Sequence, residues 1–186
     1  MITTVMLLLV SCDDIGAADT FYDFMTAVSL CDGKTASGIV SSDTSLERYC
    51  YVLENADDEA RSLLYDIYSS FEMTVLSENV EAENVDSDVV ITETGKQTIR
   101  VKLTYLDLRS IMSIVSSESA ASSDVPSNIL SEYIADGTVR RYIVSNEIEV
   151  VLIKENGEWR LPLSRNENSY IYDALMLNTF AAWLIG

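Results

Sequence analysis

The side chains able to do chemistry in this 186-residue chain are an uneven set: 30 Asp and Glu, ten Tyr, three Cys and no His. Without imidazole there is no Ser-His-Asp or Cys-His nucleophile pair and no histidine-ligated zinc. Cys31 and Cys50 lie 19 positions apart in helical patterns. An oxidising compartment would permit a disulfide between them, and the alternative is two free thiols packed as small apolar groups. Asn84, Asp86 and Asp88 alternate like the first oxygen ligands of a calcium loop. That loop needs Gly where Val89 stands and Glu where Gly95 stands, so the segment reads as a solvated turn. Asn55, Asp57, Asp58 and Glu59 read as a helix N-terminus. Neither a metal nor a cofactor is expected. Tyr105 and Tyr142 fall on inward-facing stripes, where tyrosine commonly packs as a core residue with its hydroxyl at the rim. No carboxylate falls on the inward faces of the clean strands, which leaves a general base without a seat. A formal net charge of -18 repels phosphate backbones, so nucleic acid is not an expected partner.

The first eleven residues, MITTVMLLLVS, form an uncharged apolar run that stops at Cys12, and Asp13 and Asp14 follow. The run is too short to span a bilayer, which needs about 20 residues, but it has the length of a signal-peptide core. Leu9-Val10-Ser11-Cys12 resembles a bacterial lipobox, whose cysteine becomes acylated and N-terminal. The basic segment that should precede the run is missing, since the first basic residue is Lys34, and a start further upstream is expected. This reading divides the chain into a signal-like segment (1–11), a lipid-anchor tether (12–18) and one domain (19–186). It places the protein on the outer face of the cytoplasmic membrane, held by lipid on Cys12.

The remaining pattern must position whatever site exists. Phe21, Phe24, Val28 and Cys31 form one helical stripe that Gly33 should end, with a short turn from Lys34 to Val40. Thr44 and Glu47 have capping-box spacing, and Asp57 with Asp58 opens a helix with the stripe Leu63, Leu64, Ile67, Tyr68 and Phe71. The period then becomes two. Phe71 to Val85 reads as an exposed strand, and Asp88 to Glu93 with Thr98 to Leu106 reads as a hairpin around Thr94-Gly95-Lys96-Gln97. In the second arm Ile99, Val101, Leu103 and Tyr105 share one face, and Thr98, Arg100, Lys102 and Thr104 the other. Residues 107–137 interrupt the sheet with two helices, the second opened by Pro126. A strand from Arg140 to Lys154 follows, with Tyr142, Val144, Ile148, Val150 and Leu152 on one side. Asn156-Gly157 turns it into Trp159-Arg160-Leu161.

Helices first, antiparallel strands after, and the closing hairpin Val150 to Leu161 resemble the nuclear transport factor 2-like superfamily, in which a curved sheet wraps a helix as a cone. The lipobox, the opening helix Phe21 to Leu30 and the strand end Thr104-Tyr105-Leu106-Asp107-Leu108 are similar to those of small lipoproteins of Gram-positive bacteria. The resemblance spans about Asp19 to Leu163 and implies an α+β fold. In it, N-terminal helices pack on a curved antiparallel sheet, with a helical insertion between strands (107–137) and a C-terminal helix. It carries over no catalytic residues. Tyr105, Tyr142, Val144 and Trp159 are the expected cone lining. The expected role is a non-enzymatic module that binds a protein or small apolar ligand in or beside the cone. The alternative is an Asp/Tyr lyase or isomerase acting on a small apolar molecule.

The tail from Tyr170 to Ile185 is apolar on nearly every side, interrupted by Asp173 and Asn178. A lone surface helix cannot sustain that composition in water. Docking on the sheet or the inserted helices is expected, with a membrane-surface helix as the rival.

Overall fold

The computed structural model describes residues 16–80, 95–164 and 166–185. The chain runs α1 (Ala17–Ser29), α2 (Gly33–Ile39), α3 (Glu47–Asn55), α4 (Asp58–Tyr68), β1 (Glu72–Val80), β2 (Lys96–Leu106), α5 (Leu108–Ser122) and α6 (Pro126–Ala135). A 3-10 turn (Thr138–Tyr142), β3 (Ile143–Glu155), β4 (Glu158–Arg160), α7 (Ser169–Leu175) and α8 (Leu177–Ile185) complete it. The strands make one open antiparallel sheet in the order β1-β2-β3-β4. This is an α+β fold with a helical insertion between strands, as the sequence pattern implies.

Alternation decides which face of the sheet the helices cover. Ile99, Val101 and Leu103 of β2 and Val150 and Leu152 of β3 are completely buried. Each such side chain contributes roughly 1.5–3 kcal/mol by leaving water. Their neighbours Arg100, Lys102, Glu147 and Glu149 stay in solvent, where Arg100 pairs with Glu147 at 2.7 Å. Phe21, Phe24 and Val28 of α1 and Leu63, Leu64, Ile67 and Tyr68 of α4 join the inward strand residues in a single core cluster. That core is filled by aromatic edges: Tyr68 meets Tyr49, Phe71 and Phe180 in edge-to-face contacts at 5.5–6.2 Å.

Several local expectations are corrected. Gly33 does not end the first helix; it begins α2. The stop is Cys31, at φ 54° in the left-handed region, with Asp32 N–H donating to Ala27 O (2.8 Å) and Cys31 N–H to Val28 O (3.0 Å). This is a Schellman closure with cysteine where glycine is usual. The Thr44–Glu47 capping box does not form. Thr44 Oγ1 instead accepts from Leu163 N–H at 3.1 Å, which ties the approach to α3 to the segment after β4. The expected partner of β2 is replaced: β1 pairs along one edge, from Glu72 opposite Thr104 to Val80 opposite Gln97, and β3 along the other. Both edges are thereby taken, and the arm Asp88 to Glu93 lies outside the described residues, as do Asn84, Asp86 and Asp88. The strand expected from Arg140 starts at Ile143, because Arg140, Arg141 and Tyr142 are wound into the 3-10 turn. The Asn156-Gly157 hairpin is as expected, with both residues at positive φ (53° and 85°).

The tail is two helices, not one. Met176 adopts φ 44° and breaks it between α7 and α8. Phe180 and Ala181 are fully buried, and α8 packs against α3, α4 and α6, so the segment docks on the protein. Asn178 is the reason polarity survives in that helix. Its Oδ1 accepts from Tyr49 N–H and its Nδ2 donates to Ser45 O, both at 2.8 Å. It caps α3 from a distant part of the chain, where Leu46 at the N-cap offers no side-chain acceptor.

Candidate functional site

Where β2 runs into α5, the chain places a polar surface beside the C-terminal helices. Asp107 ends the strand and caps α5, accepting from Ser110 N–H at 3.2 Å and from Ser110 Oγ at 2.6 Å. That cap fixes the first turn of α5 and so the position of Arg109, which meets Asp173 of α7 at 3.6 Å. Asn168, itself left-handed at φ 52°, anchors the start of α7 by pairing its side-chain amide with both N–H and C=O of Val151, each at 2.8 Å. A third bond runs from its Nδ2 to Pro162 O at 2.7 Å. α7 is thereby pinned to the edge of β3 and presents Tyr170 to Tyr105.

The two tyrosine hydroxyls lie 2.9 Å apart, with their rings edge to face at 6.3 Å. Burial and the Tyr170 hydroxyl push the Tyr105 pKa well above the ordinary tyrosine range, so Tyr105 stays protonated at neutral pH. Around the pair opens a groove of about 460 Å3 whose floor includes Val144, Asn146, Leu108 and Ala174. Next to it lies a more enclosed depression of about 200 Å3, lined by Leu46, Leu163, Leu175, Met176 and Leu177 and by the polar Tyr172, Asn178 and Thr179. The only residues common to both linings are Arg109 and Asp173. The two spaces adjoin at this ion pair and together make a trough, polar and aromatic at one end and richer in aliphatic side chains at the other.

Of the residues expected to line an interior, Tyr105 and Val144 meet at this trough, opposite one another in the β2–β3 register. Tyr142 and Trp159 do not belong to it. Tyr142 is half-buried at the end of the 3-10 turn, and Trp159 sits at the far end of the sheet beneath the Lys154 ammonium, 5.7 Å from its ring centre. Sequence reasoning missed Tyr170, Asn146, Arg109 and Asp173. Asn146 carried a signal, being the polar residue in phase with Val144 and Ile148 on the inward face of β3. Tyr170 carried none, because its partner lies 65 positions away.

Cys31 and Cys50 are both free thiols that border one shallow groove with Asp32, Gly33 and Glu54. The disulfide that export would permit is not formed. Cys50 Sγ donates to Gly33 O at 3.1 Å, while Cys31 sits against Tyr49 and burial raises its pKa to about 11. The Tyr49 hydroxyl, fully buried, has no hydrogen-bond partner of normal geometry. Cys12 lies outside the described residues. Among the described residues no group of three or more Cys, Asp or Glu side chains could hold a metal ion, and no helix is long and apolar enough to cross a membrane. No family model, characterised protein or solved structure matches the chain.

Proposed function

We propose that this chain is an exported, lipid-anchored binding module of the nuclear transport factor 2-like type, and that its trough receives a small ligand with an apolar portion. The observation that carries the reading is the depression of about 200 Å3 at the core's margin, walled by Leu46, Leu163, Leu175 and Leu177, which shares Arg109 and Asp173 with the groove around the tyrosine pair. Binding sites are commonly concave and largely apolar, with a few fixed polar groups that orient the ligand. The trough chemistry favours binding over proton transfer. Tyr105 is held protonated, Asp107 is engaged by Ser110, and Asp173 faces Arg109. A lyase or isomerase would need a carboxylate aimed at the ligand, and both carboxylates of the trough have other partners.

The location rests on Leu9-Val10-Ser11-Cys12 and the abrupt change to Asp13-Asp14. Two acyl chains on Cys12 would hold the domain at the outer face of the cytoplasmic membrane. Labelled palmitate incorporated by the full-length protein and lost in Cys12→Ser is the expected result; label that survives the substitution contradicts it. For the site, titration with the neutral fluorophore N-phenylnaphthylamine should give saturable binding. Thr179→Trp, at an exposed residue lining the aliphatic half, should weaken it at least tenfold without changing the melting temperature.

A further inference from the structure

We infer that the ligand is a neutral single-chain amphiphile, its alkyl chain in the aliphatic half of the trough and its hydroxyl- or amide-bearing head on the tyrosine half. The inference rests on the binding role proposed above and adds the chemical class. A hydroxyl pair such as Tyr105–Tyr170 uses one O–H internally, which leaves one O–H donor and spare lone pairs directed to other partners. The side-chain amide of Asn146, on the same floor, hydrogen-bonds Tyr105 and keeps its second N–H and its carbonyl oxygen for a ligand. Such a surface satisfies hydroxyls and amides in either direction.

Charge sets the head's sign. Among the described residues the tyrosine half carries Asp107, Arg109 and Asp173, and Arg109 is already matched to Asp173 at 3.6 Å. An anionic head would have to share the exposed Arg109 with Asp173 and would face two carboxylates in a chain of net charge -18. A neutral head incurs neither cost. In the other half Leu46, Leu163, Leu175, Met176 and Leu177 offer surface for methylene groups, and of its polar lining Asn178 is engaged by Tyr49 and Ser45 and Arg109 by Asp173. Because Arg109 and Asp173 border both halves, a chain in the aliphatic end with its head at the tyrosines would pass over this exposed ion pair.

The test uses the whole soluble protein with methyl-labelled methionine. It compares octyl glucoside, octanoate, octylammonium and glucose, each below any micelle concentration, by NMR. Octyl glucoside should move the Met176 methyl and the Tyr170 ring signals together and saturably. Octanoate should bind at least tenfold more weakly, and glucose alone should leave Met176 unmoved. Tyr170→Phe, at an exposed ring, should weaken octyl glucoside by about two- to tenfold, the value of one hydrogen bond, and leave the much weaker octanoate binding unchanged. Octanoate or octylammonium binding as tightly as octyl glucoside would overturn the head assignment while leaving the binding role intact. Failure of every alkyl compound to shift Met176 would overturn both.

Discussion

Replacing Asn178 by Ala isolates a single long-range contact, the cap that α8 supplies to α3. The wild-type side chain makes two bonds of 2.8 Å, accepting from the part-buried Tyr49 N–H and donating to the exposed Ser45 O. Water can replace the second bond at little cost. The first cannot be replaced as well, because an orphan helix-start N–H loses its acceptor, which costs about 1–2 kcal/mol in comparable caps. For a domain of this size each kcal/mol shifts the melting temperature by about 2–4 °C, so Asn178→Ala should lower it by roughly 2–8 °C. Asn178→Asp keeps the acceptor, adds a charge favourable at a helix N-terminus and loses only the exposed donor, so it should recover at least half of the loss. Thermal unfolding followed by circular dichroism reads all three proteins. An Ala variant within about 1 °C of wild type, or an Asp variant as damaged as Ala, would refute capping in trans.

Phe180, fully buried between Tyr68 and Trp183, should be the costliest single truncation in the tail. Phe180→Ala removes about 3–5 kcal/mol, and calorimetry should show a drop of roughly 6–20 °C. Gly157→Ala places a Cβ at φ 85° in the β3–β4 turn and should cost about 1–2 kcal/mol, visible as an earlier urea midpoint with unchanged slope. Cys31, its pKa raised to about 11 chiefly by burial, should have roughly one thiolate in a thousand at pH 8. In a Cys12→Ser, Cys50→Ser background its alkylation by iodoacetamide should keep rising past pH 10, and a plateau by pH 9 would contradict the burial. A thiol whose folded pKa lies above the 9.0 of an unburied cysteine favours the fold below about pH 9. That contribution is lost as pH climbs through about 11.

Much of the frame was legible because it is written in short-range periodicity. The two-residue alternation of Ile99, Val101, Leu103 and Tyr105 fixed which face of β2 meets the helices. The stripes through Phe21 and Leu63 did the same for α1 and α4. Asn156-Gly157 marked its turn because few other residues accept two positive φ angles in succession. What stayed hidden depends on long-range partners. The β1–β2 pairing competes with a plausible local hairpin, and periodicity cannot say which strand takes an edge. Thr44 resembles a capping box until Leu163 claims its hydroxyl, and Asn178 resembles an interruption until Tyr49 is seen above it. Cys31 carries no sequence sign that it will take the left-handed position that Gly33 seemed to offer.

The trough is the least legible feature for the same reason. Tyr105 and Val144 were identifiable from strand phase, but the other wall comes from α7, whose placement depends on three side-chain bonds of Asn168 to β3 and Pro162. An Asn at positive φ beside a charged turn looks like any loop residue in sequence.

The proposed ligand enters the aliphatic half of the trough beside Met176. Saturable binding of N-phenylnaphthylamine to wild type and to Thr179→Trp, measured at equal melting temperature, tests it most directly. The tryptophan should lower affinity at least tenfold. Undiminished binding to Thr179→Trp would contradict it and place the fluorophore elsewhere on the protein.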